Sequence, residues 1–278
     1  MLWDVMKSHP IIKTAGALSY ILVLGSSPAL QAGIQHISAS PKSAKGGIEP
    51  MESIPAPREC DGCVEPGFYL TASLLYLHSY NSEENDYRGE WDAGARGSVG
   101  WASPSGLLFE LTGFRHETDF TSDLGAALGN LEFYYVDLTV GDSIQCGEFC
   151  LSYSGGIRYG GNEFSENRAG VVDVSEFDGI GPVIAIGASV SLTEHIGLYA
   201  TLRQSLLFGE DVFEDGLGGR FPTDTLTGIT EIGVGAQCNF GLGGIDAFLR
   251  AGVEGQYWLE DGGNIGLFGG VLSVGSHF

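Results

Sequence analysis

The sequence predicts an all-β protein: a transmembrane, antiparallel, up-and-down β-barrel of about ten strands, with eight or twelve as the alternative counts. Three observations predict it. Near the C-terminus Phe268, Leu272, Val274 and Phe278 share one parity of a two-residue repeat, as a closing barrel strand requires when alternate side chains face lipid and an aromatic sits at the boundary. Glycine supplies 44 of 278 residues while 11% are aromatic; that mixture suits barrel walls and turns and opposes helices, where each interior glycine costs about 1 kcal/mol relative to alanine. No apolar stretch approaches the roughly 20 residues that a spanning helix needs.

Taken in order, residues 1–32 read as an export signal, with Lys7 and Lys13 for positive charge, a short apolar core from Thr14 to Gly25, and small residues at Ser27, Ala29 and Ala32. Residues 33–66, rich in Ser, Pro, Lys and Gly, carry neither a period of two nor one of 3.6 and read as a flexible periplasmic segment. Residues 67–278 form the barrel, in alternating segments near 67–78, 91–101, 106–116, 131–140, 150–160, 179–192, 195–208, 227–240, 244–258 and 265–278. The connections support this division. Those at 79–90, 117–130, 161–178 and 209–226 are long, and those at 102–105, 193–194 and 241–243 are tight, matching long external loops and short periplasmic turns.

Parity assigns the faces. Ile245, Ala247, Leu249, Ala251 and Val253 lie on one side of the ninth segment, and Asp246, Arg250, Glu254 and Gln256 on the other. A charge on the lipid face at the bilayer midplane costs about 2–4 kcal/mol, so the charged side faces the lumen. The same reasoning along the other segments makes Arg96, Glu110, Asp137, Arg158, Arg203, Glu231, Asp246, Arg250 and Glu254 the pore-lining candidates. An ionic interior has two readings: a water-filled pore whose opposed charges set a transverse field, or a plug of paired charges. Ten strands lie nearer the closed end of the size range than the sixteen to eighteen of open channels.

The net charge is −22, which excludes nucleic acid as an electrostatic partner and favours cations. Acidic residues crowd the expected external loops: Glu83, Glu84, Asp86 and Glu90; Glu163, Glu166, Asp173 and Glu176; Glu210, Asp211, Glu214 and Asp215. None shows regular calcium-loop spacing, so no metal and no cofactor is expected. The five cysteines fall on the periplasmic side, where disulfides form. Local pairs Cys60–Cys63 and Cys146–Cys150 leave Cys238 over, as a buried or unpaired thiol or a cross-link to a homo-oligomer. His116, near Asp119 and Ser122, and His78 sit at the expected external rim. Two such histidines are weak grounds for acid–base chemistry, and no enzyme is expected.

The runs LSYSGGIRYGG (151–161), FDGIGPVIAIGASVSLTEHIGLYATLRQSLLFGE (177–210), LRAGVEGQYW (249–258) and FGGVLSVGSHF (268–278) resemble the Legionella-type major outer membrane protein family. That resemblance covers most of residues 67–278. It implies a pore-forming protein of the outer membrane. The expectation is therefore an outer-membrane porin, embedded in outer-membrane lipid and passing small hydrophilic solutes or ions, with a cation preference imposed by its acidic rim. The alternative is a plugged structural or surface-interaction barrel that links the membrane to the cell wall or displays acidic loops.

Overall fold

The computed structural model describes residues 66–81, 87–122, 127–168, 171–242, 245–260 and 263–278. The export signal at 1–32 and nearly all of the segment at 33–66 lie outside the described residues.

Ten strands follow one another: β1 (Gly67–Asn81), β2 (Tyr87–Ala102), β3 (Leu108–Ser122), β4 (Ala127–Cys146), β5 (Phe149–Arg168), β6 (Val171–Ser191), β7 (Ile196–Glu214), β8 (Arg220–Leu242), β9 (Ile245–Glu260) and β10 (Gly263–His277). Each pairs antiparallel with its sequence neighbours, and β1 pairs with β10 to close the barrel. That last ladder runs from Tyr69 opposite His277 to Asn81 opposite Ile265. Beyond it Phe68 and Phe278 exchange both backbone hydrogen bonds, at 3.2 and 2.8 Å. The ten-strand expectation holds, and no sheet edge remains to be satisfied.

The outer face is apolar. Leu74, Leu138, Ile157, Ile184, Ile232 and Val274 are all exposed, and in water so continuous an apolar surface would be an association liability. Lipid is the solvent that suits it, since a closed barrel leaves no backbone group unpaired in hydrocarbon. Aromatic rings mark both boundaries. Near the start of β1 and the end of β10 Trp101 stacks on Phe109 at 5.9 Å between centroids, and toward the opposite end Tyr76 stacks on Trp91 at 5.4 Å.

The strands are longer than the sequence pattern suggests. β4 has 20 residues, β5 20, β6 21, β7 19 and β8 23, whereas about 9–11 cross a membrane. The expected loops at 117–130, 161–178 and 209–226 are therefore corrected: most of each continues the flanking strands as a hairpin that outruns the apolar band. Glu163 pairs with Glu176, and Asp211 with Phe177, within continuous ladders. Above the lipid both faces of a strand meet water, so the apolar contrast that betrays a period of two disappears. On the opposite side the turns are tight. Gly106 and Gly147, with φ of 93° and 66°, occupy the left-handed region that a side chain disfavours.

Several glycines make room for rings lying flat on the inner wall. Tyr199 rests against Gly235 and Gly252; a Cβ on Gly252 would meet the Tyr199 hydroxyl at 2.7 Å and the Val234 carbonyl oxygen at 2.3 Å. A Cβ on Gly100 would fall within 2.1 Å of the Tyr69 ring, and one on Gly275 within 2.3 Å of Phe248. Gly252→Val should thus force both ring and backbone to move. The expected cost is about 1–3 kcal/mol, read as a lower denaturant midpoint of the folded barrel and a smaller heat-modifiable fraction on gels; an unchanged midpoint would contradict this packing.

Candidate functional site

Inward parity brings eight of the nine sequence-predicted residues into the barrel. At its centre Arg158 on β5 makes a fork to Asp137 on β4, with Nε donating to Oδ1 at 2.6 Å and Nη2 to Oδ2 at 2.8 Å. The same Nη2 lies 2.7 Å from Glu231 Oε1 on β8, across the lumen. From the other side Arg96 on β2 forks onto Glu254 on β9 at 2.8 and 2.5 Å and reaches Glu231 Oε2 at 3.3 Å. Arg203 on β7 lies 3.4 Å from Asp137 Oδ2 and 4.0 Å from Glu110 Oε1. Glu231 is therefore the hub. Arginines from two opposed parts of the wall converge on it, and the Tyr135 hydroxyl donates to it at 2.8 Å.

Tyr135 also fills space. Its ring lies 3.6 Å beneath the Arg158 guanidinium carbon and stacks on Phe114 at 4.9 Å. Arg158 is 0% exposed, which is incompatible with a side chain lining a water column. Planar forks with several acceptors are what allow such charges to be held away from water.

Asp246 departs from the expected set. It shares the inward parity, opposite His277, but is exposed at the mouth near the C-terminus, outside the lumen cluster.

Above the charges, on the side away from the termini, lies a layer that parity analysis missed. Leu75, Leu77, Phe133, Leu207, Ile229, Trp258 and Leu267 are each 0% exposed and form one cluster. Phe133 meets Trp258 at 4.9 Å across the interior. Trp258 Nε1 donates to Gln256 Oε1 at 3.4 Å, and Gln256 Nε2 to Glu254 at 3.0 Å, so the two layers are joined. A signal existed: Leu74-Leu75-Tyr76-Leu77 and Leu131 to Val136 are nearly continuous apolar runs, the mark of strands buried on both faces. Burying each of these side chains contributes about 1.5–3 kcal/mol relative to leaving it in a wet lumen.

The expected rim histidines do not converge. His116 points inward, is 1% exposed, and has neither ring nitrogen hydrogen-bonded. Asp119, three residues on, takes the opposite parity and accepts a bond from Asn130 on the exposed face. His78 packs outside against Trp91. Thr118 Oγ1 donates instead to Asp92 at 2.8 Å. Among the described residues no group of three or more His, Cys, Asp or Glu side chains is placed to hold a metal ion.

Cys60 and Cys63 lie outside the described residues. In the β4–β5 hairpin the register sets Cys146 opposite Phe149 and Cys150 opposite Gln145. Cys238 is a free thiol, exposed on the outward face rather than buried. Of the expected acidic loop residues, Glu83, Glu84 and Asp86 lie outside the described residues, and most others sit on strands.

No protein-family model matches the chain, and no characterised protein matches it in sequence. It is similar in structure to the outer membrane protease OmpT of Escherichia coli, with 10% identity, coverage of 76% of this chain and 96% of that one, and a TM-score of 0.47. It is also similar to the translocator domain of the autotransporter NalP of Neisseria meningitidis (15%, 78% and 90%, 0.43) and to Neisserial surface protein A (14%, 76% and 97%, 0.35). The barrel assignment rests on closure and facing rather than on these likenesses. The expectation that the chain is not an enzyme is corrected here: a protease stands among the barrels it is similar to.

The central charges act as a unit. Arg158→Met leaves Asp137 with only its longer contact to Arg203 and Glu231 with only Arg96, and should lower folding stability by about 3–5 kcal/mol. Adding Asp137→Leu should restore part of that loss, because the pair fails together. Denaturant titration of the two variants and their combination in detergent checks this, and strict additivity would contradict it.

Proposed function

We propose that this protein is an outer-membrane barrel with a closed lumen, serving as a structural or surface-presenting element rather than as an open diffusion pore. The observation that carries this reading is the pair of stacked layers at mid-barrel, where Arg158 and Trp258 are each 0% exposed. Side chains contributed by β1, β2, β3, β4, β5, β7, β8, β9 and β10 meet there, and a hydrated ion would have to displace paired charges and packed rings together. Either step costs several kcal/mol.

The surface that remains for function is the upper wall and the lower mouth. The upper wall is acidic, with Glu163, Glu176, Glu210 and Glu214 carried on strands, and it attracts cations without passing them. Outer-membrane lipid covers the apolar band. A porin, as the family resemblance implies, with the cation preference that its acidic rim suggests, requires the mid-barrel layers to move as a gate.

Single-channel recording of the refolded barrel in a planar bilayer under a salt gradient separates the two. We expect no discrete steps from the wild type. Steady, cation-selective steps from protein shown to be folded would overturn the closed reading in favour of the porin.

A further inference from the structure

Below the charged layer the lumen is not filled. A cavity of about 280 Å³ lies between Arg96, Glu231 and Glu254 as its roof and the mouth at the C-terminal end of β10. Its wall mixes apolar side chains such as Leu108 and Val271 with a set of hydroxyl and charged groups. Ser73 donates to Ser273 at 2.8 Å across the β1–β10 ladder, Thr201 faces in from β7, and Tyr69 donates to Glu110 Oε2 at 3.1 Å.

Arg250 is the exceptional member of this wall. Arg96, Arg158 and Arg203 each meet a carboxylate, whereas Arg250 has no carboxylate partner among the described residues. It lies directly opposite Ser273 in the β9–β10 register. Its Nε donates to Gln237 Oε1 at 2.6 Å, and the guanidinium carbon lies 4.5 Å from the Phe248 ring centroid and 5.2 Å from that of Tyr199. The two rings are in turn seated on glycines. A planar cation fixed on aromatic faces, tied at Nε and lacking a carboxylate, presents its terminal nitrogens as an unused fork.

We propose that this cavity is a binding site, open toward the C-terminal end of β10, for a small hydroxylated carboxylate of the size of a sugar acid. Arg250 takes the carboxylate as a bidentate pair. Glu110 accepts from a ligand hydroxyl opposite, and Ser73, Ser273 and Thr201 exchange bonds with the remaining hydroxyls. The volume equals the share of about nine liquid waters, enough for a six-carbon acid and too small for a disaccharide. The inference rests on the closed lumen, because the charged layer is the cavity's roof.

The test uses the folded full-length barrel in detergent, titrated calorimetrically with glucuronate and, separately, with glucose. Saturable glucuronate binding with a dissociation constant of ~1 mM or below is expected, with glucose silent over the same range. Arg250→Gln should weaken glucuronate by at least about tenfold, and Arg250→Lys, which keeps the charge and loses the fork, should retain part of the affinity. Heat-modifiability on gels establishes that each variant is folded. No saturable glucuronate binding to the wild type, equal binding of glucose, or unchanged affinity in folded Arg250→Gln would each overturn the proposal; the wild-type comparison stands even if no variant folds. A conducting wild type refutes the closed lumen, whereas a silent barrel that binds no glucuronate refutes this site alone.

Discussion

Every feature of this molecule depends on the ladder between its first and last strands. A sheet immersed in hydrocarbon cannot leave a row of amide and carbonyl groups unpaired, because each one costs several kcal/mol. Pairing β1 with β10 removes both edges at once, and the reciprocal bonds of Phe68 and Phe278 carry closure to the last residue. Once the wall is closed, each side chain has only two destinations. Apolar residues of one parity go to lipid, and everything of the other parity must be reconciled within a narrow lumen.

That reconciliation is a problem of volume as much as of charge. Arg96, Arg158, Arg203, Tyr135, Phe133 and Trp258 are large, and ten strands enclose little space. Glycine relieves the crowding. Gly235 and Gly252 let Tyr199 lie along the wall rather than across the lumen, and Gly100 does the same for Tyr69. The glycine-rich composition thus belongs to the packing of the interior, and turn geometry explains only a few of its members. The remaining lumen divides into an apolar layer, an ionic layer and a hydroxylated cavity, each satisfied by different chemistry.

Most of the wall was legible in the sequence, because lipid imposes a strict penalty on polar side chains and so writes a clear period of two. Arg158 and Asp137 carry that signal, and they meet as its parity requires. Legibility fails where the penalty does. In β6 the stretch Val171 to Glu176 stands in water on both faces, and its alternation is lost although its ladder is intact. In β1 and β4 the opposite occurs: Leu75 and Phe133 are apolar on the lumen side too, so parity cannot assign them. Asp246 has the right parity at the wrong height, a distinction that period alone does not contain.

The tall hairpins of β4 to β8 also determine what the molecule shows to anything that approaches from outside. Its projecting surface is pleated sheet, with alternate residues of neighbouring strands held side by side, as Glu163 stands beside Glu176. A protein-sized footprint of roughly 800 Å² would gather residues from several hairpins that are far apart in sequence. Antibodies raised against the native barrel would therefore recognise shape rather than peptides, and short synthetic fragments of these strands would make poor immunogens. An ordinary loop-crowned barrel offers linear epitopes that drift readily; here each displayed residue is tied to two ladder partners, so antigenic change is restricted to side chains that leave the sheet intact.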